Sequence, residues 1–207
     1  GQPMAYNLLK AGYEIAVWNR RPAAASTLVD DGARLCQRPA DIKGSEVVIS
    51  MLADDAITHD VMIAQGALDS LTAGAVYINM ATVSNDLTRK MASYCTEKGI
   101  HYIAAPVLGR VDVAAAGNLN ILAAGEPEQL RRVQPIFDVL GQKTWHFGDN
   151  PEQASTVKLA ANFMLATVIE SVGESAALVK AHGIEPKDFI NMLTSTLVSA
   201  PVYKNYG

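Results

Sequence analysis

The sequence predicts an α/β fold: a doubly wound parallel sheet, followed by an all-helical segment. Two observations carry this. Short runs rich in β-branched and apolar residues alternate with helical stretches, and glycines punctuate the joints. The alternation stops near residue 150, and only helical periodicity follows.

QPMAYNLLKA at 2–11 reads as a helix, with Pro3 in its first turn and Met4, Leu8 and Leu9 on one face. Gly12 ends it. EIAVWN at 14–19 is a short buried strand. Residues 22–31 are helical up to Gly32, and ARLC at 33–36 is a weak strand. EVVISML at 46–52 is stronger and apolar on both faces, as a central parallel strand is. A helical stretch at 56–64, strand AVYINMA at 75–81, a helix at 85–98 and strand HYIAAPV at 101–107 follow. After a small-residue stretch, strands LNILAAG at 119–125 and KTWHFG at 143–148 flank a helix at 127–140. Helices at 152–182 and 186–197 complete the reading. The expected organisation is a sheet domain over 1–150 and the start of a helical domain over 151–207. The first helix of that second domain, at about thirty residues, far exceeds the usual 11–12 or so. Its alanines at 160, 161, 166, 176 and 177 and its Gly173 predict close packing against other helices.

Composition excludes several classes. Of 207 residues, 49% are hydrophobic and 18% charged, so a sizeable core is expected and disorder is not. Net charge is −4 with no basic run, which argues against nucleic-acid binding. Cys36 and Cys95 are far apart, without metal spacing, and read as two reduced, buried thiols of a cytoplasmic protein. His59, His101, His146 and His182 are dispersed, so no metal site is expected. No apolar run approaches the roughly 20 residues that span a bilayer, and no membrane association is expected. The chain begins Gly-Gln-Pro and ends at Gly207, and both ends read as cut.

The chemistry-bearing positions fall at strand ends. Gly1 stands just before a helix with Pro3 at its start, where the third glycine of a Rossmann-type G-x-G-x-x-G loop sits and a pyrophosphate meets the helix N-terminus. At the end of the second strand of such a unit, a carboxylate accepts from ribose hydroxyls. Here the chain has Asn19-Arg20-Arg21, and two guanidiniums suit a 2′-phosphate. NADP(H) is therefore expected over NAD(H), with NAD possible. Residues 50–53, Ser-Met-Leu-Ala, and 81–84, Ala-Thr-Val-Ser, follow strand carboxyl ends, where they read as a wall and hydrogen-bonding edge for the nicotinamide half or as plain turns, Ser84 capping a helix. AAPVLGR at 104–110 runs from a strand into a glycine turn. Arg110 there reads either as a bidentate carboxylate ligand or as an ordinary surface arginine. Lys158 and Asn162 lie four apart on one helix face, a cation and an amide suited to holding a polarised oxygen.

Four stretches, in this order, resemble a known family: GQPMAYNLLKAGYEIAVWNR, AAPVLGR, AGNLNILAAG and STVKLAANFM. They are similar to segments of the β-hydroxyacid dehydrogenases, the 3-hydroxyisobutyrate dehydrogenase family related to 6-phosphogluconate dehydrogenase. SAPVYKNYG at 199–207 is similar to a segment of the helical domain in some members. The resemblance implies Lys158 as the catalytic lysine and Asn162 as the residue orienting substrate and lysine. It implies Met51, Leu52 and Thr82 as cofactor contacts. It places Pro106, Leu108, Gly109 and Arg110 on the substrate loop. It also implies that a first strand and part of the glycine-rich loop are missing, so these 207 residues alone are expected to aggregate or bind NADPH poorly. Four positions depart from the family pattern. Ala104 stands for Asp, Leu108 for Ser, Arg110 for the second Gly, and Ser155 for the Gly before the lysine. The expected activity is hydride transfer between NADP(H) and a small carboxylate-bearing semialdehyde or hydroxyacid, glyoxylate- or succinic-semialdehyde-like. A homodimer or homotetramer through the helical domain is expected. An imine reductase is an alternative that Lys158 disfavours. A dinucleotide-binding protein without catalysis is another, favoured by Ala104 and Leu108.

Overall fold

The computed structural model describes residues 1–196, 198 and 200. It divides into two compact units, Gly1–Lys158 and Leu159–Gly207. The first is a Rossmann-like α/β unit. Its elements are α1 (Gln2–Lys10), β1 (Ala16–Val17), α2 (Ser26–Asp30), β2 (Arg34–Leu35), β3 (Val47–Ser50), α3 (Asp55–His59), β4 (Val76–Asn79), α4 (Asn85–Glu97), β5 (His101–Ala104), β6 (Val107–Leu108), α5 (Val111–Ala115), β7 (Leu119–Ala123), α6 (Pro127–Leu140) and β8 (Gly141–His146). The long helix α7 (Pro151–Ala181) begins in the first unit and α8 (Pro186–Ser195) belongs to the second.

The strand β4 shows why the residues fold this way. Val76, Ile78 and Met80 point to one face, where Met4 and Leu8 of α1 and Val133, Phe137 and Leu140 of α6 meet them. Tyr77 and Ala81 point to the other, against Leu87, Met91 and Cys95 of α4. The period-two alternation sends successive side chains to opposite faces, and both faces are covered. Hence the strand is fully buried, and its one amide, Asn79, is buried with it. The order β3-β4-β5 is parallel, as the alternation of strands and helices requires.

Several elements differ from expectation. The strand expected at 14–19 shrinks to Ala16–Val17 because β2 is its only partner among the described residues, and an unpaired edge forms no ladder. β3 is half-buried rather than central, since its second edge also lacks a strand among the described residues. The run 101–107 splits at Pro106, which has no N–H to donate. Beyond it, β6 pairs antiparallel with β7 and breaks the all-parallel pattern. The small-residue stretch hides α5, whose Ala114 carbonyl accepts from Asn7 Nδ2 at 2.9 Å. Gly141 opens β8 directly instead of making a turn, and a Cβ there would lie 2.5 Å from the Leu119 carbonyl oxygen. The expected helix at 56–64 is α3 followed by a single π-type turn, Asp60–Ala64. Among the described residues of this chain nothing lies within 4 Å of where a Gly173 Cβ would be, so the close contact expected there is left to another helix, such as one of a second subunit. Leu197 and most of the segment 199–207 lie outside the described residues. Cys36 and Cys95 are free and buried, as expected.

One helix bears on the membrane expectation. α7 has 31 residues, and an 18-residue window within it reaches a mean hydropathy of 1.2, enough by length and composition to cross a bilayer. An unbroken apolar run is not required for this, because alanines and valines between polar residues raise the average. Glu170 and Glu174 in its middle would be costly in hydrocarbon.

Phe137 is fully buried where α6 meets the sheet. Phe137→Ala is expected to cost about 3–5 kcal/mol, read from urea unfolding. A loss below about 1 kcal/mol would show that this face is not the packed core.

Candidate functional site

The carboxyl end of β3 approaches the start of α1. A Cβ built on Gly1 would lie 3.6 Å from Met51 Cβ, an ordinary contact. Between them opens a groove of about 1830 Å³ lined by Gly1, Asn19, Arg20, Met51 and Leu52. It runs down between the facing edges of β1 and β3 as far as Arg132 and Ile136 of α6, so it is deeper than the candidate nucleotide site at its carboxyl end. Asn19 shapes the β1 end: its Oδ1 accepts from the Arg21 N–H at 2.9 Å. Arg20 and Arg21 are exposed, and neither guanidinium has an ion-pair partner among the described residues. Arg20 lines the groove; Arg21 does not. These residues fit a dinucleotide: helix N–H groups for phosphate and a free cation at the far end of the strand.

The lysine lies on the first turns of α7. Lys158 is half-buried, and burial holds its amine below the ordinary lysine range. No carboxylate pairs with it among the described residues. It closes the first compact unit, past the expected boundary near 150, because the start of α7 packs with the sheet domain.

Residues 1–148 match the NAD-binding domain of 6-phosphogluconate dehydrogenase. The chain is 38% identical to the uncharacterized oxidoreductase YfjR of Bacillus subtilis, over all of this chain and 73% of that protein. It is 32% identical to glyoxylate/succinic semialdehyde reductase 1 of Arabidopsis thaliana, over all of this chain and 72% of that one. The structure of Mycobacterium tuberculosis 3-hydroxyisobutyrate dehydrogenase with L-serine superposes with a TM-score of 0.86 at 24% identity, covering 97% of this chain and 68% of that one. The chain belongs to the β-hydroxyacid dehydrogenase family. Its members are NAD(P)-dependent oxidoreductases.

In this family member the other predicted residues stand apart from the groove. Thr82, Pro106, Leu108, Gly109, Arg110 and Lys158 do not line it, and Asn162 belongs to the second unit. The reason is topological. β4 and β5 separate β3 from the 106–110 loop, about 10 Å of sheet at the usual strand spacing. Pro106 is buried, while Leu108, Gly109 and Arg110 are exposed. Gly109 is required there. Its φ of 140° is a glycine conformation, and a Cβ would come within 2.8 Å of Val113 and Leu119 side-chain atoms. Arg110 makes no ion pair among the described residues. Thr82 is exposed on a loop held from both sides. Asn79 Oδ1 accepts from the Ala81 N–H at 3.1 Å, and Asp55 accepts from the Ser84 N–H at 3.0 Å and from the Ser84 hydroxyl. Ser84 also caps α4, its Oγ accepting from the Leu87 N–H at 3.1 Å.

Sequence reading missed the buried polar layer beneath this loop. Ser50 Oγ bonds Tyr77 OH at 2.9 Å and donates to Asn79 Oδ1 at 3.3 Å, while Asn79 Nδ2 donates to Tyr102 OH at 3.4 Å. Burial pushes both phenols well up from their usual range, so they stay protonated and act as structural links. Burial likewise pushes the Cys95 thiol up to about 12, which makes it inert. The available signal was polar residues at alternate strand positions, Ser50, Tyr77, Asn79 and Tyr102, but only the strand register joins them.

The depressed Lys158 amine carries a stability consequence. Between its lowered folded pKa and its ordinary one, the unfolded chain binds the extra proton, so this group's contribution to stability rises with pH. Lys158→Met is expected to raise Tm at neutral pH, with the advantage shrinking as pH climbs toward the ordinary value of 10.5. Melts across that range check it, and an advantage that widens with pH would contradict burial as the cause.

Proposed function

We propose that this protein is an NADP(H)-dependent reductase of small carboxylate-bearing semialdehydes or 2-oxoacids, of the glyoxylate and succinic semialdehyde kind. One observation carries the reading: a half-buried amine at Lys158, depressed by burial and without an ion pair among the described residues. The named activity of the Arabidopsis relative supports the substrate class. Arg20 and Arg21, free of ion pairs among the described residues, support the 2′-phosphate.

Bound NADPH supplies the hydride. Carbonyl reduction builds negative charge on oxygen, and Lys158 stabilises that charge and donates the proton. In the oxidation direction the same amine accepts it, which a depressed pKa favours. Asn162, one turn further along α7, orients substrate and lysine through its amide. Met51 and Leu52 wall the nicotinamide end and Thr82 offers a hydrogen bond. Pro106, Leu108 and Gly109 shape the substrate loop, and Arg110 takes the place of the family's hydroxyl in holding the substrate carboxylate. The apolar side chains that α7 exposes, Phe163 at 73% and Met164 at 69%, support assembly as a homodimer or homotetramer through the helical domain.

Steady-state assays of the intact protein with NADPH test the assignment. Lys158→Ala is expected to lower kcat at least about 100-fold while NADPH affinity holds. Faster reduction of a cyclic imine than of any aldehyde would move the assignment to imine reduction. Tight NADPH binding with no turnover at all would leave a binding protein.

The cofactor choice has its own test. Arg20→Glu with Arg21→Glu is expected to raise KM for NADPH about tenfold or more, with KM for NADH little changed. An equal effect on both cofactors would remove the 2′-phosphate role.

A further inference from the structure

α7 is attached to the sheet domain by an unusual set of contacts. Among the described residues, the buried ones on α7 are Ala154 and Ser155. One alanine offers little apolar area, so hydrophobic contact alone leaves the rotation and height of this helix weakly determined. Three polar contacts to α4 supply what is missing. Arg89 donates Nε to Glu152 Oε1 at 3.1 Å and Nη2 to Oε2 at 2.9 Å, a bidentate pair. Thr88 Oγ1 and Ser155 Oγ lie 2.8 Å apart. Asn85 Nδ2 donates to Thr156 Oγ1 at 2.9 Å. The spacing is the same on both helices: 85, 88 and 89 face 152, 155 and 156. Residues three and four apart share one face, so each helix presents a single stripe to the other.

The central pair is fully desolvated, with Thr88 0% and Ser155 3% exposed. Its proton order follows from its partners. The Thr88 hydroxyl donates to the Ser84 carbonyl at 2.9 Å, and a carbonyl only accepts. Ser155 must therefore donate to Thr88. This fixes an ordered chain from α7 through Thr88 to Ser84, and on to Asp55, which holds the loop carrying Thr82. Lys158 is three residues past Ser155, on the same stripe of α7 and about 4.5 Å further along its axis. Rotating or sliding the helix start moves the lysine amine by a similar amount.

We propose that the Thr88–Ser155 hydroxyl pair, flanked by Arg89–Glu152 and Asn85–Thr156, is a clasp that positions Lys158 for proton transfer. Thr88 and Ser155 are positioning residues. The proposal rests on the reading of Lys158 as the proton-transfer group.

The test uses the intact enzyme, with Lys158→Ala as reference. Ser155→Ala and Thr88→Val should each lower kcat about tenfold, since misplacements near 1 Å cost up to about 100-fold. The pH profile of kcat should shift, KM for NADPH should stay constant, and the double variant should lose no more than the worse single one. Thr88→Ser keeps the hydroxyl and should restore both rate and profile. If a buried variant fails to fold, Glu152→Gln substitutes for it, with the same expected direction in kcat and no change in KM for NADPH. Wild-type kcat and pH profile in these variants, with Lys158→Ala inactive, would overturn the clasp and leave the lysine's role intact. Full activity in Lys158→Ala would overturn both.

Discussion

A parallel ladder covered on both faces is the constraint on which the rest of this molecule depends. β4 sends Val76, Ile78 and Met80 to α1 and α6, and Tyr77 and Ala81 to α4. Every backbone group on such a strand pairs with a neighbour or is buried without one, so β3 and β5 must run beside it in register. Their shared direction brings the carboxyl ends of three strands to one rim. The loops holding Met51, Leu52 and Thr82, and the turn toward Pro106, leave from that rim. Chain direction, rather than any one side chain, makes such a rim the place where open α/β sheets bind ligands.

The polar groups divide into two sets by what they hold. Ser50, Tyr77, Asn79 and Tyr102 are buried between strands and hold the rim from beneath, with phenols too high in pKa to exchange protons near neutrality. Asp55, Ser84, Thr88 and Ser155 tie loops and helices to each other at the rim itself. Neither set shows a motif in the sequence. Each member reads as a turn residue, a cap or a mid-strand polar residue until the register places it. The result is a rigid support under exposed, adaptable loops, and loops on a fixed frame are where binding groups are usually found.

Most departures from expectation arise from neighbours distant in sequence. β1 is short and β3 half-buried because a strand's length and burial depend on its neighbours, and the edges of both border the groove. The split at Pro106 reflects a missing donor, which sequence does show. The antiparallel pairing of β6 with β7 that follows is a matter of where the chain finds a partner. α5 escaped notice because Val-Asp-Val-Ala-Ala has no helical stripe of its own; Asn7 on α1 holds it through the Ala114 carbonyl near its end. α7 reaches a high mean hydropathy although polar residues interrupt its apolar ones.

Residue type and spacing alone determined the alternation of strands and helices, the identity of the long helix, and the candidate groups at Gly1, Asn19, Arg20, Met51 and Lys158. Those features are local, since period, caps and turn chemistry act within a few residues. Tertiary structure decided which of them meet. It gathered Gly1, Asn19, Arg20, Met51 and Leu52 around one groove, left Arg21, Thr82 and the 106–110 loop outside its lining, and gave Lys158 a half-buried amine. It also turned Thr88 and Ser155 into partners. Desolvation and hydrogen-bond partnership belong to groups distant in sequence, and they exist only once the chain has brought those groups together.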